Sequence, residues 1–226
     1  MFIASFASGP WEGNCYLIRQ DDSVETVVID PGVFAAETVH EILAERGWKL
    51  AGVLCTHGHV DHIADAAALA NEAGAPMWLH SADGFMMTKP SAGIGSDIIP
   101  LMVELFGADE LPTPDTLVDL EGVGAVEVAG IEFKVTHTPG HSPGLVIFTV
   151  SDDDGDVVFC GDFVFAGSIG RTDLPRGSAT VMNDSLRRVA LAWPDDARLL
   201  PGHGPATTAA REKAMNPYLQ RRNLGV

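Results

Sequence analysis

The stretch that decides the fold is Thr56-His57-Gly58-His59-Val60-Asp61-His62. Within it, the side chains of His57, His59, Asp61 and His62 can ligate a metal. Imidazole nitrogens and a carboxylate at close quarters suit zinc, with iron or manganese as alternatives. Because neighbouring side chains on an extended loop diverge, four donors so close in sequence are held more easily by two divalent metal ions than by one.

The residues on either side predict where this stretch lies. Residues 50–55 are mostly apolar and rich in branched side chains, which is typical of a buried strand. Residues 63–73 are rich in Ala and Leu and stop before Gly74, which indicates a helix followed by a glycine. The sequence therefore predicts a ligand loop between the end of a strand and the start of a helix.

Further ligand-type residues occur where other predicted strands end. His141, Asp162 and His203 each follow a tight turn that contains glycine. A metal-free surface cluster of histidines, or a purely structural zinc, would not predict these additional residues. Asp30 also ends a predicted strand, and we expect it to hydrogen-bond to a ligand histidine rather than only to local backbone amides.

Length and composition limit the class of protein. The 226 residues fit one domain, 1–226, with residues 81–118 as a packed insertion or a lid. A formal charge of −17 with only 14 Lys and Arg argues against a nucleic-acid partner. No apolar run approaches the roughly 18 residues of a membrane span, and no leader pattern is present. The three cysteines form no CxxC pair. We therefore expect a cytoplasmic protein with reduced thiols and no membrane partner.

The remaining chain predicts alternating strands and helices. Strands are predicted at 2–6, 15–18, 26–29, 77–79, 126–128, 131–135, 145–150, 157–160 and 198–200, and helices at 35–46, near 97–106, 178–192 and 208–215. The acidic run at 152–156 is interpreted as a hairpin turn rather than a calcium loop. His80 and His137 are expected to be structural. The pattern predicts an α+β fold with two strand-rich layers between helices and metals in the cleft between the layers.

The ligand-type residues and their order resemble those of the metallo-β-lactamase superfamily. The fold of that superfamily is an αββα sandwich, two β-sheets flanked by helices, with a metal cleft along one edge. The resemblance covers nearly the whole chain, and the ligand-type residues occur in the family's order. It implies that His57, His59 and His141 hold one ion, that Asp61, His62 and His203 hold the other, and that Asp162 bridges them.

Within that superfamily, residues 161–173 look most like the glyoxalase II group, which hydrolyses S-acyl thioesters of glutathione. The enzymes of higher organisms carry a long C-terminal helical extension that contacts glutathione, whereas 23 residues follow His203 here. The chain therefore looks like a shorter bacterial branch. Arg171 and Phe163 are candidate substrate contacts, and Arg171 either pairs with a substrate carboxylate or holds its own loop through a salt bridge.

The resemblance implies a hydrolase that acts on a small-molecule thioester. A hydroxide bridging the two ions, held by Asp162, His57, His59 and His141, would attack the thioester carbonyl. Lactamases of this fold lack a bridging Asp at the position of Asp162, which argues against antibiotic hydrolysis. Two alternatives stay open. One is a mononuclear iron persulfide dioxygenase, which shares the Gly-Arg-Thr-Asp stretch at 170–173, and the other is a metal-binding protein without hydrolase activity.

Overall fold

Two six-stranded sheets form the centre of the molecule. The structure is a computed structural model that describes residues 1–152 and 154–225, with Arg222 described by its backbone only. The first sheet contains, side by side in this order, β1 (Phe2–Ser8), β2 (Gly13–Arg19), β3 (Glu25–Ile29), β4 (Lys49–Leu54), β5 (Met77–Leu79) and β6 (Leu117–Asp119). β1 to β3 pair antiparallel, and β3 to β6 pair parallel.

The second sheet is built mainly from antiparallel pairs. In sequence order it contains β7 (Ala125–Val128), β8 (Ile131–His137), β9 (Val146–Asp152), β10 (Gly155–Gly161), β11 (Arg198–Pro201) and β12 (Thr207–Thr208). Only β10 and β11 pair parallel among these strands. Because β9 is antiparallel to both β8 and β10, the strands β8, β10 and β11 run in one direction and end at the same edge of the sheet.

Helices cover the outer faces of both sheets. The helices in the described residues are α1 (Ala35–Arg46), α2 (Val60–Ile63), α3 (Ala66–Ala73), α4 (Gly84–Thr88), α5 (Ser91–Ile94), α6 (Ile99–Phe106), α7 (Ala179–Arg188), α8 (Ala209–Met215) and α9 (Arg221–Leu224). Single 3-10 turns lie at 81–83, 96–98, 190–192 and 217–219. Residues of α1 and α3 pack on the first sheet, and residues of α7, α8 and α9 pack on the second. None of the helices in the described residues is both long enough and apolar enough to cross a bilayer.

The main core lies between the two sheets. Along β8 the side chains alternate between buried and exposed, so Ile131, Phe133 and Val135 face the first sheet. They meet inward-facing side chains of the first sheet, including Ile18 and Ile29. Burial of large apolar side chains from both layers is the main force that joins the sheets. The predicted αββα sandwich of the α+β class is confirmed.

Most predicted elements are present with nearly the predicted bounds. The predicted helix 35–46 coincides with α1, and the predicted hairpin at 126–135 is β7 and β8. Its two turn residues, Ala129 and Gly130, have φ values of 54° and 72°, which a two-residue turn of type I′ requires. The predicted turn at 152–156 joins β9 to β10, although Asp153 lies outside the described residues.

Two helix predictions are wrong in detail. The predicted helix 63–73 is divided into α2 and α3, because Asp65 is held from outside the helix: its backbone N–H donates to Pro31, and its carboxylate accepts from the backbone of Ala36. Asp61 and His62 therefore lie on a helical turn rather than on an extended loop. The predicted helix 178–192 ends at Arg188, and its last part is a 3-10 turn.

Residues 81–116 pack against the ligand stretch. Met102 of α6 is fully buried in a cluster with Val33, Val60 and Ala64, and Ile94 and Ile98 pack at its border. Val60 lies between two of the predicted ligands, so this segment supports the ligand stretch from one side. That residues 1–226 form one domain stays a prediction.

Candidate metal centre

The predicted ligands come together because the strands that precede them end at one place. His57 and His59 follow β4 in the first sheet. His141, Asp162 and His203 follow β8, β10 and β11, which run in one direction in the second sheet. The two sheets therefore present their carboxyl ends to a common cleft, where loops position side chains from both layers.

His57 has its ring orientation set by two neighbours. The hydroxyl of Thr56 donates to Asp30 Oδ2 at 2.6 Å, and the backbone N–H of Thr56 donates to Asp30 Oδ1 at 2.7 Å. The Thr56 hydroxyl has no second hydrogen, so at 3.1 Å it accepts one from His57 Nδ1. His57 Nε2 is then a bare lone pair, and it is buried without a hydrogen-bond partner among the described residues.

His62 and His141 are oriented in the same way. His62 Nδ1 donates to Asp30 Oδ2 at 3.2 Å, and His141 Nδ1 donates to the carbonyl of Arg171 at 2.7 Å. In the neutral form of each ring, the opposite nitrogen Nε2 is free to ligate a metal. A hydrogen bond to the outer nitrogen of an imidazole is the usual partner arrangement of metal-binding histidines.

Three donor sets lie close enough to hold an ion. In each set the ligand atoms lie within 4.8 Å of one another, and the sets are His57, His59 and His141; Asp30, His57 and His62; and Asp61, His62 and His203. Both oxygens of Asp30 already accept hydrogen bonds. The first and third sets therefore fit metal ions best, and Asp30 acts by orienting His62 and Thr56.

Asp162 lies between these two sets. Its Oδ1 is 3.4 Å from His62 Nε2, and its Oδ2 is 3.4 Å from His141 Nε2 and 3.7 Å from His203 Nε2. Oδ1 is buried without a hydrogen-bond partner among the described residues. A buried carboxylate oxygen without a donor is costly unless a cation neutralises it. The donor set thus fits positively charged ions at both ends of this carboxylate.

Burial favours the neutral form of all three histidines in the first set. Burial lowers the pKa of His59 to about 4, with a further lowering by His141, and burial likewise lowers the pKa of His141 to about 4. Burial also lowers the pKa of His57, and the neighbouring imidazoles lower it further. Neutral imidazoles offer free lone pairs, so this set needs no proton release before it binds a metal.

The second set is rich in negative charge. Burial lowers the pKa of His62, but Asp61, Asp162 and Asp30 more than offset this and raise it to about 10. His203 behaves similarly: burial lowers its pKa, and the hydrogen bond to Asp61, 3.2 Å long, contributes to a net rise. Carboxylates that favour a proton on an adjacent imidazole also favour a metal cation in its place.

The loop that carries His203 is fixed by the first sheet. The side-chain amide of Asn14 on β2 donates to the carbonyls of Pro201 and Gly204, each at 2.9 Å, and the hydroxyl of Tyr16 donates to Pro201 at 2.6 Å. The backbone N–H of Asn14 also donates to Gly202 at 2.7 Å. These bonds link the two sheets at the candidate metal cleft. No motif in the sequence predicted a role for either side chain.

A cavity of about 380 Å³ opens over the cluster. His59, Asp61, His141, Asp162 and His203 lie on its floor. Its apolar wall consists of Trp11, Ile94, Phe165, Ile169 and Leu174, which come from separate segments of the chain. This wall is not predictable from the sequence pattern, because single apolar residues in loops carry no periodic signal.

The two predicted substrate contacts differ in position. Arg171 lines the cavity, and its guanidinium pairs with both carboxylate oxygens of Asp173 at 2.7 and 2.8 Å. The prediction for Phe163 is wrong, because this side chain is fully buried and packs edge-on against Trp193, 5.8 Å between ring centroids, in the core beneath α7.

The histidines expected to be structural lie outside the three sets. His80 and His137 stack on each other with ring centroids 4.3 Å apart, and His137 Nε2 donates to the carbonyl of Pro143. All three cysteines are buried and unpaired, as predicted.

Comparison with known proteins agrees with this geometry. The sequence model of the metallo-beta-lactamase superfamily matches residues 8–203. A protein of Mycobacterium tuberculosis, Rv2581c, is 38% identical over 97% of this chain and 98% of its own length. Hydroxyacylglutathione hydrolase GloC of Haemophilus influenzae is 33% identical over 94% of this chain and 95% of its own length.

Solved structures share the fold over nearly the whole chain. The B3 metallo-beta-lactamase BLEG-1 superposes with a TM-score of 0.83 at 31% identity, over 97% of this chain and all of that one. TTHA1623, solved in a di-iron-bound form, gives a TM-score of 0.77 at 32% identity, over 96% of this chain and all of that one. From its sequence, its fold and its cluster of metal-ligand side chains, this chain belongs to the metallo-β-lactamase superfamily of metal-dependent hydrolases.

Proposed function

We propose that this protein hydrolyses S-acyl thioesters of a low-molecular-weight thiol with two divalent metal ions, zinc or iron. The observation that carries the proposal is the position of Asp162 between two complete donor sets, on the floor of a small and partly apolar cavity. The name of the Haemophilus relative makes a hydroxyacyl thioester of glutathione the first substrate to test.

The residues proposed to hold the ions are those that the family resemblance implied. His57, His59 and His141 would hold one ion, Asp61, His62 and His203 would hold the other, and Asp162 would be shared between them. Divalent ions bound there would supply a water of low pKa and polarise the carbonyl of the thioester. In the reaction, the oxygen of water bonds to the acyl carbon, the carbon–sulfur bond breaks, and a carboxylic acid and a thiol leave.

The chain's own contribution is to fix these donors before substrate binds. Asp30 and Thr56 set the tautomers of His57 and His62, so the ligand nitrogens need little reorganisation. The wall formed by Trp11, Ile94 and Phe165 packs against the acyl group and limits access of bulk water. A cavity of about 380 Å³ is at the small end of ligand sites, which favours a short acyl chain.

We propose that the thiol part of the substrate is held mainly by contacts other than ion pairs, because of the position of Arg171. Among the described side chains that line the cavity it is the one Lys or Arg, and Asp173 already pairs with it. A substrate carboxylate would therefore have to displace Asp173. Exposed ion pairs of this kind are weak, so a thiol that carries a carboxylate could displace Asp173 from Arg171 at a small cost in free energy.

The first experiment measures metal content and turnover together. Purified protein is analysed for metal per chain by elemental mass spectrometry. Thiol release is followed with a hydroxyacyl thioester of glutathione and with an acyl thioester of a neutral thiol, and ring opening is followed with a β-lactam. We expect about two ions per chain and turnover of a thioester. His59→Ala should lower kcat/KM by more than about 100-fold, since it removes a ligand. His40→Ala, which changes an exposed histidine on α1, should leave kcat/KM unchanged.

Several outcomes would contradict the proposal. Full thioester turnover by His59→Ala would separate catalysis from this cluster. A single iron per chain, with oxygen uptake on a persulfide substrate, would favour the dioxygenase. Turnover of the β-lactam alone would favour a lactamase, and bound metal without any turnover would favour a metal-binding protein.

A further inference from the structure

Asp83 is a buried carboxylate that the proposed function does not yet use. It ends the 3-10 turn at 81–83, which follows β5, and its side chain is fully buried. It belongs to none of the three donor sets. An ionised carboxylate in such a position must be satisfied by hydrogen bonds, because burial without partners is costly.

The hydrogen bonds of Asp83 join two ligand loops. Its Oδ2 accepts from the backbone N–H of Gly58 at 2.9 Å and from the hydroxyl of Ser142 at 2.6 Å. Its Oδ1 accepts from the backbone N–H of Gly144 at 2.6 Å. Gly58 lies between His57 and His59, and Ser142 follows His141 directly. One side chain therefore connects the loop of the first sheet to the loop of the second.

The fit around this carboxylate is close. A Cβ atom on Gly58 would lie 2.9 Å from Asp83 Cβ, and a Cβ atom on Gly144 would lie 2.7 Å from Asp83 Cγ and 2.8 Å from its Oδ1. All three distances are shorter than non-bonded contacts of a Cβ atom allow. Glycine at these positions thus lets the two backbones approach the carboxylate and donate to it.

The connection involves all three residues of one donor set, whereas in the other set Asp61 and His62 lie on α2 and His203 lies on a separate loop. His57, His59 and His141 all lie in the loops that Asp83 joins, and His59 Nδ1 is 2.8 Å from His141 Nε2 across them. In the second set, the loop of His203 is held instead by Asn14 and Tyr16. A change at Asp83 should consequently affect one ion more than the other.

We propose that Asp83 is a positioning residue for the ion held by His57, His59 and His141. By fixing the distance between the two loops, it makes three nitrogens from different sheets converge on one point. Three donors surround the side chain, so both of its terminal atoms must be acceptors. An asparagine side chain at this position would turn its NH2 group toward an N–H or O–H group that also donates. The inference rests on the metal centre of the proposed function and not on its substrate.

The test compares Asp83→Asn with a matched variant, Glu212→Gln. Glu212 is also a buried carboxylate with three donors, namely the hydroxyl of Thr207, the backbone of Gly167 and the amide of Asn216. It joins α8 to other parts of the second layer, and none of these three hydrogen bonds reaches a loop that Asp83 joins. Stepwise Zn2+ affinities are measured by competition with a chelator, and the absorption spectrum of the Co2+-loaded protein reports the ligand environment.

We expect Asp83→Asn to lower the affinity for one of the two ions by about 10- to 100-fold. The affinity for the other ion should stay within about threefold of the wild-type value. Glu212→Gln should lower the Tm without a selective effect on either ion. Unchanged Zn2+ affinities and Co2+ spectrum in folded Asp83→Asn would overturn the inference, as would an equal weakening of both ions.

A milder variant keeps the test decisive if Asp83→Asn does not fold. Ser142→Ala removes one of the three donors and keeps the carboxylate, so it should weaken the same ion by a smaller factor. Full affinity in Ser142→Ala would then count against the inference. A wild-type protein that binds two ions but hydrolyses no thioester would overturn the proposed function and not this inference, whereas a wild-type protein that binds no ion would overturn both.

Discussion

Thr56 has a single hydroxyl hydrogen, and the group that accepts it determines which nitrogen of His57 faces the candidate metal centre. The hydrogen goes to Asp30, so the same oxygen accepts from His57 Nδ1. Asp30 adopts a φ of 53°, which is unusual for a residue other than glycine and shows that its surroundings hold it in place. The orientation of a ligand ring thus depends on two residues that are not themselves ligands.

Thr56→Val tests this dependence. Valine keeps the shape of threonine but neither donates to Asp30 nor accepts from His57. We expect the affinity for metal to fall by about 10- to 100-fold and the free energy of unfolding to fall by about 1 to 3 kcal/mol. Both quantities are measured on the purified variant, the first by chelator competition and the second by urea denaturation.

A second buried threonine provides the control. Thr26 on β3 is fully buried, and the one hydrogen bond of its hydroxyl to a described residue is a 3.5 Å contact with the carbonyl of Val24. Thr26→Val should leave metal affinity unchanged. Equal losses of metal affinity in both variants would show that the effect comes from general destabilisation.

The turn after β11 illustrates how an element shapes the centre. Gly202 precedes His203 and has an ordinary φ, so its backbone conformation alone would accept alanine. A Cβ atom there, however, would meet Asp162 Oδ1 and would lie 2.7 Å from His62 Cε1. Glycine is needed at this position because the turn passes directly behind the carboxylate between the two donor sets.

Gly202→Ala is therefore expected to displace Asp162 or His62. We predict that it lowers the metal content below the wild-type value and the free energy of unfolding by about 1 to 3 kcal/mol, as crowding of a packed site does. Elemental mass spectrometry and urea denaturation check the two effects.

Gly124, before β7, serves for comparison. A Cβ atom on Gly124 would have open space, and its φ is ordinary. Gly124→Ala should change stability by less than about 0.5 kcal/mol and leave the metal content unchanged. If Gly202→Ala binds metal as fully as Gly124→Ala does, the close approach at Asp162 has no consequence for the centre.

At the scale of the whole molecule, the two sheets share one core. Phe148 of β9 is fully buried, and it packs edge-on near Phe133 with ring centroids 6.3 Å apart. The same cluster contains Ile18 and Leu54 of the first sheet. Because each sheet buries its inner face only against the other, the two should unfold together.

Phe148→Ala tests this shared core. Removing a buried phenyl ring should lower the free energy of unfolding by about 3 to 5 kcal/mol. Urea denaturation followed by far-UV circular dichroism and by tryptophan fluorescence should still give one coincident transition, as predicted for a single domain over residues 1–226. Val24→Ala, at a side chain that is 49% exposed, should change stability by less than about 0.5 kcal/mol. Two separate transitions would contradict the single-domain prediction.

The sequence by itself determined which residue types meet at the candidate metal centre and which local elements surround it. The ligand types are contiguous or sit in glycine turns, and apolar periodicity marks the strands before them, so neither requires knowledge of distant contacts. Helix α1 and the hairpin of β7 and β8 were likewise predictable, because a glycine end and a two-residue turn act within a few residues.

Only the tertiary structure decided which nitrogens face one another and what surrounds them. The division of α2 from α3 depends on Pro31 and Ala36, which are distant in sequence from Asp65. Phe163 lies in the core rather than in the cavity, and Asp83 joins loops of two different sheets. The physical reason is that these relations arise when two sheets pack face to face, and that packing brings together side chains that no local pattern relates.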